Sequence, residues 1–154
     1  MRVVPAIVLA GALLAGCAAT GPDRTPPPAA AGLPLSELPA QNLQKGQCAM
    51  FLWARTTPPR RVFMALHDPA MARIVVGTRT LDLPRTGWSG EASFGHYPEQ
   101  RFAGPGFDLR VSVQMDARPG LSGGAVVPSG LVEYRDNTGA ETLIPVAGMV
   151  ACQD

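Results

Sequence analysis

The chain is poor in the residue types that build metal and nucleotide sites, and it has no excess of charge of either sign. Its 154 residues include two His and three Cys, and 13 Lys and Arg stand against 12 Asp and Glu. No C-x-x-C, H-x-x-x-H or P-loop spacing occurs, so the sequence predicts no metal site and no cofactor. A balanced charge gives no general basis for binding nucleic acid, and we expect none.

Long apolar runs are also scarce, and the clearest one stands at the N-terminus. Met1-Arg2 is followed by an uncharged run from Val3 to Ala15, which is too short for a membrane-spanning helix of about 20 residues. Such a run after a positive start is typical of a signal peptide. The sequence Leu14-Ala15-Gly16-Cys17 then resembles the lipobox of bacterial lipoproteins, which consists of a Leu, two small residues and a Cys.

The lipobox resemblance implies cleavage before Cys17 and attachment of lipid to its sulfur, with residues 1–16 as the signal peptide. Several acyl chains make a stable membrane anchor, whereas a single chain binds only marginally. In such lipoproteins an Asp directly after the Cys commonly signals retention in the inner membrane, and this chain has Ala18 there. The implied location is the periplasmic face of the outer membrane. The alternative is an ordinary secretory peptide with an incidental Cys.

Residues 17–43 are predicted to be a flexible linker. Pro, Ala and Gly dominate residues 18–34, and this composition does not bury enough apolar surface to fold. Three prolines at 26–28 favour polyproline II, so the linker would hold the domain up to roughly 50 Å from the membrane at about 3.1 Å per residue. Pro39 prevents a helix in residues 35–43, which we expect to be irregular.

Residues 44–154 are predicted to form one β-domain, because short strand-like segments alternate with turns and no sustained helical spacing appears. In Phe107 to Met115 apolar and polar side chains alternate, as expected for a strand with one face in the core. About eight short strands of this kind predict an all-β fold, a small antiparallel sandwich or barrel. The other predicted strands are Cys48 to Arg55, Arg61 to His67, Arg73 to Val76, Thr78 to Leu83, Ala125 to Val127, Gly130 to Arg135, Glu141 to Val146 and Gly148 to Cys152.

Cys48 and Cys152 remain once Cys17 is assigned to lipid attachment. In an oxidising compartment an even pair predicts a disulfide, which would join the two ends of the domain. Closing a loop of about 100 residues stabilises a fold by roughly 4 to 5 kcal/mol in chain-entropy terms. The alternative is two separate buried thiols.

Residues 120–124 match the G-x-S-x-G pattern of hydrolases, with Ser122 as the nucleophile. His67 and Asp108 lie upstream in the chain order of a chymotrypsin-like triad. A nucleophile elbow needs a strand before the Ser and a helix after it, but Arg118-Pro119 and an apolar run ending in Pro128 flank this one. We therefore interpret the motif as a Gly-rich turn and predict that the chain is not an enzyme.

The segment Arg85 to Phe102 is the candidate binding region. It combines aromatic and Arg side chains with Gly and Ser, a composition typical of recognition surfaces. The alternative is that Trp88, Phe94 and Phe102 belong to the core. We expect partner contacts from Trp88, Ser89, Gly90, His96, Tyr97 and Arg101.

A lipid-anchored, disulfide-closed small β-barrel with a Ser-Gly segment followed by an aromatic residue resembles the membrane-bound inhibitors of c-type lysozyme. Ser89-Gly90 and Tyr97 are the matching positions, at a longer spacing than in that family. The resemblance implies inhibition of lysozyme. Our principal hypothesis is a monomeric, non-enzymatic envelope lipoprotein that binds a periplasmic protein or glycan, with lysozyme inhibition and hydrolysis as the alternatives.

Overall fold

The computed structural model describes residues 32–153, which form eight antiparallel strands that close into a barrel. Each strand pairs with its neighbours in chain order, and the last strand pairs with the first. The all-β prediction is confirmed, and of its two architectures the barrel is observed. The strands are β1 (Cys48–Ala54), β2 (Arg60–Leu66), β3 (Met71–Val76), β4 (Arg79–Ser89), β5 (Glu99–Gly104), β6 (Phe107–Asp116), β7 (Gly124–Asp136) and β8 (Glu141–Cys152).

The signal peptide, the lipid attachment at Cys17 and the linker up to residue 31 lie outside the described residues. Within residues 32–153 no helix has the length and apolarity needed to cross a bilayer.

The alternation of apolar and polar residues fixes which side of each strand faces the barrel interior. In β6 the side chains of Leu109 and Val111 are buried, whereas those of Asp108 and Arg110, which alternate with them, are exposed. The same alternation on the other strands fills the interior with apolar side chains. Among them are Met50, Leu52, Phe63, Ile74, Leu83, Phe102, Val132, Ile144 and Val146.

Two long strands, β7 and β8, each join segments that the sequence predicted as separate strands. Pro128, which lacks a backbone donor, lies in a bulge of β7, where the pairing with β8 shifts between Val127 and Gly130. Gly148 lies inside β8, at a point where this strand passes close to β1. A Cβ at this position would collide with the carbonyl oxygen of Phe51.

The predicted disulfide is present and closes the seam between β1 and β8. Cys48 and Cys152 lie directly opposite each other in that ladder and are 104 residues apart in sequence. They lie at the end of the barrel that also carries the loops of residues 90–98 and 117–123, which we call the loop end. The opposite end, with the turns of residues 77–78 and 137–140, is the turn end.

A second seam, between β2 and β3, is closed by the N-terminal segment 33–43, which we call the strap. The two strands pair through three residue pairs near the loop end and diverge towards the turn end. The strap enters this gap. The amide of Ser36 donates to the carbonyl of Val75 in β3 at 2.8 Å, and the amide of Leu38 donates to the carbonyl of Arg61 in β2 at 2.6 Å.

The strap shows that the packed part of the chain begins before residue 44, the predicted domain boundary. Leu35 and Leu38 are fully buried, and the guanidinium of Arg61 donates hydrogen bonds to the carbonyl of Leu38. Burying a Leu side chain is worth about 1.5–3 kcal/mol, so these two leucines favour the packed position of the strap. The Pro- and Ala-rich composition around the strap conceals these two apolar positions.

The packing of the strap predicts that its leucines stabilise the whole barrel. Replacing Leu38 by Ala is expected to lower the free energy of unfolding by about 2–5 kcal/mol, because it leaves a cavity in a buried site. The matched control is Leu143→Ala, a Leu that is 56% exposed on β8. Urea unfolding would measure both, and an equal effect of the two substitutions would contradict the strap's role.

Candidate functional site

The candidate site is centred on Trp88, near the loop-end terminus of β4. A bulge in the β4–β5 ladder between Arg85 and Gly87 changes the alternation, so that Gly87 lies opposite Arg101 and Trp88 lies opposite Gln100. Gln100 is buried, but Trp88 at the rim of the barrel is 58% exposed. The bulge therefore puts Trp88 on the same side of the ladder as Gln100, at the mouth of the barrel, whereas unbroken alternation from Leu83 and Arg85 would have put it on the outer face.

Trp88 packs against Tyr97 and Arg85 to form what we call the aromatic platform. The centre of the Arg85 guanidinium lies 5.4 Å from the Trp88 ring centroid and 5.1 Å from that of Tyr97. The two ring centroids are 5.8 Å apart. These distances are within the range of cation–π interaction, worth about 0.5–1 kcal/mol at an exposed site.

Hydrogen bonds to the buried Gln100 and to backbone carbonyls of the loop hold the platform in place. Arg85 Nη1 donates to Gln100 Oε1 at 3.1 Å and to the carbonyl of Gly95 at 3.4 Å. Gln100 Nε2 in turn donates to the carbonyl of Tyr97 at 3.1 Å. The platform is therefore ordered before any partner arrives, which reduces the entropy lost on binding.

The loop of residues 90–98 needs glycine at two positions for conformational reasons. Gly90 and Gly95 have φ angles of +91° and +77°, in the left-handed region. A side chain at Gly90 would collide with Pro98, and one at Gly95 would collide with the ring of His67. Gly90, predicted as a contact residue, thus shapes the loop that carries Tyr97.

His96 was predicted to contact a partner, but the structure places it inside the loop end. It is 0% exposed, and neither ring nitrogen has a well-formed hydrogen bond among the described residues. Burial lowers the pKa of His96 to about 4 against the opposing effect of the Cys48 carbonyl, and Arg85 and His67 add to the lowering. His96 is therefore a neutral core residue beneath the loop, and its predicted place on the binding surface is corrected.

This burial predicts a loss of stability in mild acid. Between pH 6.5 and about 4 the unfolded chain binds a proton at His96 and the folded chain does not, so stability falls as the pH falls, by about 3 kcal/mol over that interval. Urea unfolding at several pH values would measure it. The variant His96→Leu is expected to flatten the pH dependence in this window.

The titration of Asp82 does not interfere with that measurement, because it occurs at lower pH. The hydrogen-bonded guanidinium of Arg73 holds the pKa of Asp82 below its ordinary value of 3.8, so its contribution disappears only at lower pH. A slope between pH 6.5 and 4 that remains unchanged in His96→Leu would contradict the assignment to His96.

A groove continues from Trp88 across the outer face of β4, β5 and β6 and extends to Arg135 of β7 and Glu141 at the start of β8. Two adjoining clefts, of about 370 and 440 Å³, share Thr86, Arg101 and Arg110 in their linings. Arg110 forms an ion pair with Glu99 at 3.3 Å, and Arg101 lies directly opposite Arg110. Among the described residues Arg101 has no ion-pair partner, so its guanidinium remains open to an approaching group.

The predicted contact residues Trp88, Ser89, Tyr97 and Arg101 thus lie around this rim and groove, in β4, β5 and the loop between them. Two further apolar side chains are exposed at the loop end: Phe94, which belongs to the candidate region but not to the predicted contacts, is 38% exposed, and Leu121, which sequence reasoning missed, is 45% exposed. Leu121 belongs to the Gly-rich segment 117–123, where turn composition masked it. Of the three aromatic residues that could have belonged to the core, Trp88, Phe94 and Phe102, only Phe102 is buried, against Phe63.

The residues of the triad-like pattern do not meet. Ser122 lies in the loop of residues 117–123 at the loop end, whereas Asp108 lies at the turn-end start of β6. Eight residues of strand separate Asp108 from Asp116, roughly 27 Å at the rise of an antiparallel strand. The described residues also contain no cluster of His, Cys, Asp and Glu that could hold a metal ion.

Comparison with known proteins assigns the chain to no group. No family model, curated protein or solved structure matches it. The site is therefore interpreted from the geometry of the described residues.

Proposed function

We propose that the chain is a lipid-anchored, non-enzymatic protein of the bacterial cell envelope, whose barrel binds a periplasmic protein or glycan through the aromatic platform and the adjoining groove. The observation that carries this proposal is Trp88, which is 58% exposed and yet held against Arg85 and Tyr97. Trp, Tyr and Arg are the residues that contribute most to binding energy at protein interfaces.

The direction in which the chain enters the barrel supports this arrangement. The strap begins beside the turn end, where Ser36 Oγ donates to the carbonyl of Gly77. An anchor at Cys17 would therefore hold the barrel from the turn end. The platform at the opposite end stays accessible to partners in the periplasm.

The chemistry of the surface fits a partner with a flat apolar group next to a polar one. Trp88 and Tyr97 offer aromatic faces on which a sugar ring or an apolar side chain can stack. Arg101 beside them offers the planar donor fork that pairs with carboxylate groups. A monomeric barrel presents all of these groups on one chain.

Substitution of the platform tests this proposal. Trp88→Ala and Tyr97→Ala are each expected to weaken binding about tenfold or more, which corresponds to about 1.4 kcal/mol. The probes are purified peptidoglycan in co-sedimentation and periplasmic extract in capture by immobilised barrel. The matched control is Leu143→Ala, an equally exposed apolar residue on the opposite side. Retention that is the same for all variants would contradict the platform's role.

Inhibition of c-type lysozyme is the second candidate function. Ser89, the residue matched to the inhibitor pattern, is exposed at the end of β4 beside Trp88, in a barrel closed by a disulfide. Purified barrel is expected to slow lysis in a turbidity assay with c-type lysozyme, and Ser89→Ala to reduce the effect. Unchanged lysis with the wild-type barrel would eliminate this candidate and leave the first one standing.

A further inference from the structure

Along β1, and along β8 from Leu143 onwards, the outward side chains of two neighbouring strands carry no charge; the charged outward residue of β8 is Glu141, at its turn-end start, which pairs with Arg135 of β7. The outward positions of β8 after Glu141 are Leu143, Pro145, Ala147, Met149 and Ala151, and those of β1 are Ala49, Phe51 and Trp53. Leu143 and Met149 are 56% and 46% exposed, and Phe51 and Trp53 are partly exposed. We call this surface the apolar face.

Other parts of the outer surface carry cross-strand ion pairs. Arg73 pairs with Asp82 between β3 and β4, Arg110 with Glu99 between β5 and β6, and Arg135 of β7 with Glu141 at the turn-end start of β8. The strap covers the apolar residues on the outside of β2 and β3, where Leu38 packs with Met64 and Val75. The apolar face is thus a local feature that the strap covers only at its edge, near Ala49 and Phe51.

The apolar face lies on the side of the barrel opposite the aromatic platform and Arg101, while the far end of the groove reaches β8 at Glu141. In the closed order of eight strands, the β8–β1 seam is half-way around from the β4–β5 seam. Trp53 therefore lies on one side of the barrel, and Trp88 and Arg101 lie on the other. Whatever covers the apolar face determines the direction in which the aromatic platform and Arg101 point.

We propose that the apolar face rests on the surface of the lipid bilayer that holds the anchor, with the aromatic platform and Arg101 turned away from the membrane. The inference rests on the lipid attachment in the proposed function. Residues 17–31, which connect Cys17 to the described barrel, reach at most roughly 45 Å at 3.1 Å per residue. Such a short connection keeps the barrel at an effective concentration of about millimolar near the bilayer, where a weak apolar contact is occupied.

The composition of the apolar face suits the interfacial layer of a membrane. Trp is enriched at that depth because its ring is apolar and its indole N–H is polar, and aliphatic side chains insert beside it. A second copy of the chain fits less well. Two strands about 10 Å wide and 27 Å long give roughly 270 Å², well below the ~800 Å² that each partner contributes to a standard interface.

The two tryptophans of the chain allow a direct test, because one lies on each side of the barrel. Trp88→Phe leaves Trp53 as the only tryptophan, and Trp53→Phe leaves Trp88. Each full-length lipidated chain is placed in phosphatidylethanolamine and phosphatidylglycerol vesicles whose acyl chains carry bromine close to the headgroup. Trp53 emission is expected to lose a large part of its intensity to bromine quenching, while Trp88 emission is retained.

Acidic substitutions on the face provide the control. Adding Leu143→Asp and Met149→Asp to the Trp88→Phe chain is expected to restore the emission of Trp53, because carboxylates oppose insertion and are repelled by the anionic phosphatidylglycerol headgroups. Leu121→Asp, at the loop end, is the matched substitution and is expected to leave the quenching unchanged.

The outcomes separate this inference from the lipid anchor itself. A chain that floats with the vesicles while Trp53 remains unquenched overturns the membrane contact and leaves the anchor intact. A chain that does not float overturns both. Equal quenching of Trp53 and Trp88 contradicts a fixed orientation. If Trp53 escapes quenching to a degree that rises with protein concentration and does not depend on lipid, a second copy covers the apolar face. That result overturns the proposal.

Discussion

The structure depends on the closure of one sheet at two vulnerable seams. Between β1 and β8 the closure is secured by a ladder and by the disulfide between Cys48 and Cys152. Between β2 and β3 the direct ladder is short, and the strap supplies hydrogen bonds to both strands through Ser36 and Leu38. Without either closure the barrel would have unpaired strand edges and an opened apolar interior.

Closure also determines where the candidate site forms. The bulge in the β4–β5 ladder turns Trp88 to the rim, and the buried Gln100 and His96 fill the space beneath it. Arg85 connects the buried residues with the rim, since its guanidinium donates to Gln100 in the interior and lies beside the rings of Trp88 and Tyr97 at the mouth. The surface that we propose for binding is therefore as rigid as the end of the barrel on which it is built.

Regular features of the fold could be predicted from sequence because they leave a periodic or pairwise signal. The alternation in β6 identifies its buried face without further information, and the pair Cys48 and Cys152 predicts one bond on the expectation of lipid attachment at Cys17 and of an oxidising compartment. The strap was not predicted, because Leu35 and Leu38 lie among residues typical of linkers. Only the gap between β2 and β3 gives them a place to be buried. Tertiary context of this kind has no local signature.

The site was predicted in composition but not in geometry. The aromatic and Arg content of residues 85–102 indicated a recognition surface, yet the segment consists of the end of β4, a loop and most of β5. Phe102 is buried opposite Arg85, and a one-residue bulge after Arg85 decides that Trp88 lies at the mouth of the barrel on the same side as Gln100. His96 shows the same limit, because no sequence pattern distinguishes a buried neutral His from an exposed one.

The central claim is that the strap is part of the barrel and closes its second seam. Native-state hydrogen exchange at the amides of Ser36 and Leu38 tests this claim most directly, because both donate across that seam. The account predicts that these two amides exchange only through global unfolding, with the same free energy as the central amides of β1 and β8. Exchange at the rate of an unprotected linker, while β1 and β8 remain protected, would contradict it.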